Sequence, residues 1–208
     1  MWEPDHFRLF ICHVSLDKEV AHLLKEELEK IQVSCFVAHD DIEPTRQWQD
    51  EIEEALRTMD ALAAILSTNF HQSNWTDQEV GFAIGTGRLV LPLRLGFDPY
   101  GFIGKFQGYQ IAGIQYPTIA EEIVKILARH GQTALKMALA LVKHFEWSRT
   151  WESAKATMSL LEECAVIDEV LLRRIEEAER SSNQVSGAWG VPARIRTLVA
   201  KHSKIGDA

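Results

Sequence analysis

Long apolar runs, basic clusters and cysteines are all scarce in this 208-residue sequence. The apolar run at residues 61–66 is far shorter than the roughly 20 residues that a membrane-spanning helix needs. Residues 1–6 carry acidic side chains and a proline, where a signal peptide has a basic start and an apolar core. The sequence therefore predicts neither a membrane segment nor a secretory leader.

The three cysteines, Cys12, Cys35 and Cys164, are an odd and widely spaced set. Such a set favours a reducing compartment, by default the cytoplasm, over a disulfide framework. The formal net charge is −8, and the sequence has no cluster of Lys and Arg interleaved with aromatic residues. Its cysteines and histidines repeat no metal-ligand spacing. We expect neither a nucleic-acid partner nor a metal site.

The usual nucleotide-binding motifs are missing too. The glycines of Gly81-x-x-x-Gly85-x-Gly87 lie at the end of a predicted helix, whereas a dinucleotide fingerprint lies between a strand and the start of a helix. The sequence also has no phosphate loop of the form GxxxxGK[ST]. A dinucleotide that binds this chain would need a different kind of site.

Short apolar runs alternate with amphipathic segments over the first 130 residues. The runs are apolar nearly throughout, which is typical of parallel strands buried on both faces, and lie at residues 7–12, 33–37, 61–66, 89–94 and, more weakly, 109–111. Helical stripes separate them, the first beginning behind Asp17 as a candidate N-cap and the last covering residues 118–130. This alternation predicts an α/β domain with a five-stranded parallel sheet between helices.

Beyond residue 130 the strand signals stop and only helical patterns remain. Apolar stripes recur within residues 134–145, 151–161 and 167–178, and Pro192 opens a closing helix. Trp147, Trp151 and Trp189, like Trp48 of the α/β domain, are predicted to be packing residues. We therefore expect two domains, an α/β domain at residues 1–130 and a small all-helical domain at residues 131–208.

Polar residues follow three of the predicted strands at the point where each strand ends. In an open parallel sheet, ligands bind where loops leave the carboxyl ends of the strands. The loop residues here are His13, Val14, Ser15 and Asp17 after the first strand, His39, Asp40 and Asp41 after the second, and Ser67, Thr68 and Asn69 after the third. All of them except Val14 are polar. We expect these three loops to meet at one edge of the sheet.

The segment after the third loop offers a carboxylate at the same edge. Trp75 and Glu79 are four residues apart and share a helical face, so an aromatic ring and an anion can contact one ligand. The pattern Thr76-x-x-Glu79 also spells a capping box, in which Glu79 only reaches back to a backbone N–H. Spacing by itself favours the cap.

Three segments in order resemble a bacterial-type Toll/interleukin-1 receptor (TIR) domain, over about residues 7–110. They are Phe10-Ile11-Cys12-His13 with its acidic helix start, the loop Asp41-Ile42-Glu43-Pro44, and the segment from Ser67 to Glu79, which matches Ser-x-x-(Tyr/Phe)-x-x-Ser-x-Trp-x-x-x-Glu. The resemblance implies a flavodoxin-like sheet. In members that are enzymes it implies an NAD glycohydrolase or ADP-ribosyl cyclase, with NAD as substrate and no cofactor.

The resemblance also implies roles for particular residues. The catalytic glutamate of the family corresponds to Glu79, and the nicotinamide-ribose pocket would be lined by His13, Val14 and Asp41 beside Trp75, with Ser67 as a weaker addition. The sequence departs from the family at Thr45, where a glycine is usual, and at Cys12, where a serine is usual. It also lacks the Phe-Trp pair of animal receptors, which argues against a receptor signalling domain.

The biological setting is inferred from the resemblance alone. It implies anti-phage defence, through NAD depletion or a signal nucleotide sensed by a downstream effector, and self-association through the TIR domain or the C-terminal helices. Two alternatives stay open. One is a non-catalytic TIR–TIR interaction module, and the other is an enzyme similar to nucleoside deoxyribosyltransferases, which share the fold type and a catalytic carboxylate.

Overall fold

The computed structural model describes residues 1–37 and 46–203, with only the backbone described at residues 46–48 and 203. The chain divides into two compact units, Met1–Ala120 and Glu121–Ala208. The dividing point lies inside the helix Tyr116–Arg129, whereas the sequence places the boundary at the end of that helix. No helix among the described residues is long and apolar enough to cross a membrane.

The first unit is built on a parallel sheet in the order β2-β1-β3-β4-β5. Its strands are β1 (Phe7–Cys12), β2 (Val33–Val37), β3 (Ala61–Ser67), β4 (Leu89–Leu95) and the two-residue β5 (Tyr109–Gln110). Every residue of β3 is buried, as expected of a central strand covered on both faces. The predicted five-stranded α/β sheet is confirmed, and the order places the ends of β1 and β3 side by side.

Helices connect the strands. They are α1 (Lys18–Glu29), α2 (Arg46–Thr58), α3 (Thr76–Gly85) and α4 (Tyr116–Arg129), with short 3-10 turns at Ser15–Asp17, Phe70–Gln72 and Gly101–Ile103. Asp17 stands at the N-cap position of α1, as predicted, but its side chain makes no capping hydrogen bond. The 3-10 turn that ends at Asp17 supplies the entry into this helix instead.

One face of the sheet carries an apolar core that positions α3. Alternate residues point to the same face of a strand, and those that face α2 and α3 are Phe10, Cys12, Leu62, Ala64 and Leu66. They join Ile52 and Ala55 of α2, Met59 directly after it, and Val80 and Ala83 of α3. Because Cys12 is the last residue of β1 and packs in this cluster, α3 is held against the carboxyl end of that strand.

The second unit is helical, as predicted. Its helices are α5 (Ala134–Glu146), α6 (Trp151–Glu162), α7 (Glu169–Ser181), α8 (Asn183–Ser186) and α9 (Val191–Ser203). The side chain of Thr150 accepts the Ser153 N–H at 3.0 Å and that of Asp168 accepts the Leu171 N–H at 2.8 Å, which caps α6 and α7.

The prediction that the three tryptophans of this region are packing residues is wrong, and the side chain of Trp48 lies outside the described residues. Trp147 is 70% exposed, Trp151 56% and Trp189 90%. The ammonium group of Lys143 lies 5.7 Å from the ring centre of Trp147. This ring therefore forms a cation–π contact at the surface and does not pack in the apolar core. The apolar stripes of the helices close the core of the unit with aliphatic side chains such as Leu141, Leu161 and Ile175.

Candidate active site

The start of α3 decides what Glu79 can do. Trp75 is the N-cap residue, and its side chain makes no capping hydrogen bond. The hydroxyl of Thr76 donates instead to the carbonyl of Phe70 at 2.8 Å, and the Glu79 N–H donates to the carbonyl of Trp75 at 2.9 Å. The capping box is therefore not formed. Thr76 lies inside the helix and its hydroxyl ties α3 to the preceding 3-10 turn.

The carboxyl group of Glu79 is buried at the end of β1. Its residue is 1% exposed, and the thiol of Cys12 is near enough to lower its pKa by hydrogen bonding. The same sulfur lies 3.7 Å from the carbonyl of Thr76, in the first turn of α3. A carboxyl group on a helix start is thus enclosed between that helix and the last residue of a central strand.

Burial changes the acidity of both groups. Burial raises the pKa of Glu79 from 4.5 to about 7, and the hydrogen bond from Cys12 partly opposes this shift. Burial, reinforced by the nearby Glu79 charge, raises the pKa of the Cys12 thiol well above its usual range. At neutral pH the thiol therefore keeps its proton and remains a donor, while the carboxyl group titrates. A buried carboxyl group with a strongly shifted pKa is a candidate functional group.

A pocket of about 300 Å³ opens between the loops that follow β1 and β3. It is lined by Val14, Ser15, Leu16, Asn69, Gln72 and Ser73. The expectation that polar loops meet at one edge of the sheet is confirmed for these two loops. His39, Asp40 and Asp41, in the loop after β2, lie outside the described residues.

The predicted binding residues take different places around the pocket. Among the described residues that line it, Val14 is the only one predicted to bind substrate. His13 is fully buried, with Nδ1 3.4 Å from the carbonyl of Ile11. Ser67 is also buried, and Trp75 is half-buried. The roles of His13, Asp41, Ser67 and Trp75 stay predictions.

Two hydroxyl groups between the end of β3 and the start of α3 form hydrogen bonds with the backbone. The Ser67 hydroxyl accepts the Asn69 N–H at 3.3 Å, and the Ser73 hydroxyl accepts the Trp75 N–H at 3.2 Å. Ser and Thr side chains commonly stabilise turns in this way. They fix the path of the chain between the end of β3 and the start of α3.

Sequence reasoning missed Tyr100, which contacts α3 from the loop after β4. Its hydroxyl donates to Oδ1 of Asp77 at 2.5 Å, and its ring centre lies 4.9 Å from that of His71. Burial and the Asp77 carboxylate raise the pKa of Tyr100, so the phenol stays a donor. No local pattern predicts a contact between residues so far apart in the sequence.

Sequence reasoning also missed Gln72, which lines the pocket from the end of the 3-10 turn Phe70–Gln72. The signal that could have found it is its position between two predicted parts of the site, Ser67 and Trp75. A 3-10 turn this short has no hydrophobic period, so nothing in the sequence indicated which side of the turn faces the pocket.

The fold and the enclosed carboxyl group define a class of α/β domain whose loops form a site at the carboxyl end of a parallel sheet. A family model described as TIR domain matches residues 9–127, more than half of the chain. The chain belongs to the TIR domain family.

The chain is also similar to a solved structure, the TIR domain of the Toll-related receptor TRR-2 from the lower metazoan Hydra magnipapillata. Sequence identity is 20%, the TM-score is 0.43, and the match covers 50% of this chain and 83% of that domain. No curated protein matches the sequence.

Proposed function

We propose that this TIR domain cleaves the bond between nicotinamide and ribose in NAD, with Glu79 as the catalytic carboxylate. NAD is the substrate, and no cofactor takes part. The observation that carries the proposal is the buried carboxyl group of Glu79, which is not in a helix cap and has a pKa raised to about 7, in a domain whose β1 and β3 loops form a pocket. A glutamate buried at such cost without a ligand would weaken the fold and supply nothing in return.

One carboxylate suffices for this reaction. The C1′–N bond breaks with its electron pair moving to the pyridinium nitrogen, so nicotinamide leaves as a neutral molecule and needs no general acid. This differs from ordinary glycoside hydrolysis, which uses two carboxyl groups. The ribose carbon becomes cationic, and the anion of Glu79 stabilises that charge while it accepts hydrogen bonds from the ribose hydroxyls.

The attacking group determines the product. Water adds to C1′ and releases a proton, which gives ADP-ribose, nicotinamide and one proton. A nucleophile within the same molecule, from its adenine or ribose, gives a cyclic ADP-ribose. Burial strengthens the interaction of Glu79 with the cation, because charges interact more strongly where water is excluded.

The test is nicotinamide release by the purified full chain, with a Glu79→Gln variant. We expect the variant to lose activity by at least about a hundredfold, in line with removal of a single electrostatic stabiliser. The matched control is Glu19→Gln, which neutralises an exposed carboxylate in the first turn of α1. Circular dichroism verifies that both variants are folded.

The outcomes are distinct. Unchanged release by a folded Glu79→Gln variant would overturn the role of Glu79. A wild-type chain that releases no nicotinamide when concentrated or assembled would favour the non-catalytic interaction module. Release of base from deoxynucleosides in place of NAD would favour the deoxyribosyltransferase-like alternative.

We further propose, from the resemblance to bacterial-type TIR domains, a cytoplasmic role in anti-phage defence. NAD depletion or a signal nucleotide read by a downstream effector would serve that role. Activation would follow self-association, through the TIR domain or the C-terminal helices. Phage infection of cells that express the wild type or the Glu79→Gln variant, with NAD measured over time, tests this assignment.

A further inference from the structure

Two amide side chains form one wall of the pocket. Nε2 of Gln72 donates a hydrogen bond to Oδ1 of Asn69 at 3.2 Å. The backbone ties the same two residues together, because the Gln72 N–H donates to the Asn69 carbonyl at 2.8 Å. The Ser67 hydroxyl accepts the Asn69 N–H at 3.3 Å. The two amides are therefore held in one mutual arrangement before any ligand arrives.

The bond between the amides leaves each of them a group to offer a ligand. A primary amide has an oxygen acceptor and an NH₂ donor. Asn69 uses its oxygen and keeps its NH₂ group, whereas Gln72 uses its nitrogen and keeps its oxygen. If the oxygen and nitrogen positions of both amides are exchanged, the two side chains together still leave one donor and one acceptor for a ligand. The wall therefore presents a donor and an acceptor on neighbouring side chains.

The rest of the pocket favours a small uncharged ring, which is the form in which nicotinamide leaves NAD. Val14 and Leu16 supply apolar surface, and none of the described lining residues is charged. The volume of about 300 Å³ lies at the lower end of the roughly 300–1,000 Å³ that small-molecule sites occupy. A pocket of this size holds one end of a dinucleotide. A primary carboxamide on an aromatic ring matches both the size and the hydrogen-bonding groups.

We propose that Asn69 and Gln72 form hydrogen bonds with the carboxamide of the nicotinamide ring and determine the substrate specificity of the site. The Asn69 NH₂ group donates to the carboxamide oxygen, and the Gln72 oxygen accepts from the carboxamide NH₂ group. The inference rests on the proposed function, since it assigns the pocket to the leaving group. Two of the lining residues, Ser73 and Val14, lie two residues from Trp75 and from Cys12 respectively in the sequence.

The test compares NAD with 3-acetylpyridine adenine dinucleotide, in which a methyl group replaces the carboxamide NH₂. Loss of one neutral hydrogen bond at an exposed side chain such as Gln72 corresponds to about fivefold in kcat/KM. Gln72→Met keeps the length of the side chain but removes its oxygen. We expect this variant to lower the preference for NAD over the analogue by about fivefold relative to wild type.

Two further variants separate specificity from general damage. Asn69→Asp keeps the oxygen that accepts from Gln72 but removes the donor to the carbonyl, which both substrates contain, so both slow by the same factor. Gln115→Met is the matched control, because Gln115 is exposed and lies outside the pocket lining. Its substrate preference equals that of the wild type. An unchanged preference in a folded Gln72→Met variant that cleaves NAD would overturn the inference.

A binding measurement separates failure of the inference from failure of the proposed function. Saturation-transfer NMR on the full chain detects nicotinamide and 3-acetylpyridine without turnover. Nicotinamide binding that is weakened by Gln72→Met, in a chain that cleaves nothing, supports the carboxamide site and rejects the NAD-cleaving function. Cleavage of NAD with equal binding of both rings by wild type and variant rejects the carboxamide site alone. A chain that neither binds nicotinamide nor cleaves NAD rejects both the carboxamide site and the proposed function.

Discussion

The buried carboxyl group of Glu79 predicts that the folded chain loses stability as the pH rises through neutrality. Its pKa is raised from 4.5 to about 7, so between these values the folded chain holds a proton that the unfolded chain has released. The stabilisation is complete below pH 4.5 and is lost as the pH rises through 7. Each unit of pKa corresponds to about 1.4 kcal/mol, so the loss from pH 4.5 to pH 8 is about 3 kcal/mol.

Glu79→Gln isolates this loss, because the amide does not ionise. The free energy of unfolding is measured in urea for both proteins at pH 4.5 and pH 8, and any constant effect of the amide cancels in the difference. Between these conditions the wild type loses about 3 kcal/mol more than the variant. Hydrogen exchange at the amides of β1 and α3 assigns the change to the sheet unit and not to the helical unit.

An identical pH dependence in the two proteins would refute the reasoning, since the carboxyl group would then ionise at the same pH in the folded and the unfolded chain. The expected result also links stability to the proposed function. The ionised form that stabilises a cationic transition state is the form that destabilises the fold, so the acidic limb of the pH–rate profile falls near pH 7.

Three further substitutions test the surroundings of this group. Cys12→Ala removes the thiol donor and moves the acidic limb of the pH–rate profile upward; a downward shift would contradict the assigned hydrogen bond. Thr76→Val leaves the buried carbonyl of Phe70 without its hydroxyl donor and lowers the free energy of unfolding by about 1–3 kcal/mol; a change near zero would contradict the tie between α3 and the preceding turn. Tyr100→Phe removes the hydrogen bond to Asp77 and lowers the free energy of unfolding by about 1 kcal/mol. In a double-mutant cycle, we expect this loss to disappear when Asp77→Ala is already present; additive losses would argue against the contact.

The strands were predictable because a short run of apolar residues favours a buried strand over a helix. The residues of β3 are apolar over a length too short for a helix and are buried throughout. The carboxyl end of the sheet was predictable for the same reason, since polar residues directly follow such runs. A parallel sheet then brings those ends together without information from distant residues.

The environment of Glu79 was not predictable from spacing. A threonine hydroxyl satisfies either an N–H of its own helix or a carbonyl of an earlier turn, and both outcomes have the same local sequence. The full burial of Phe70 decides between them here, because it brings that residue's carbonyl to Thr76. Burial of Phe70 depends on the sheet and on α2 and α3, so tertiary packing and not the Thr76-x-x-Glu79 pattern sets the outcome.

The exposed tryptophans give the two units different optical properties. Trp147, Trp151 and Trp189 belong to the helical unit, whereas Trp2, Trp48 and Trp75 belong to the sheet unit. Solvent-exposed indoles emit at longer wavelength, and soluble quenchers reach them first. Replacing these three exposed rings with Phe would therefore leave fluorescence that arises from the sheet unit alone, in which Trp75 lies two residues after Ser73 of the pocket lining.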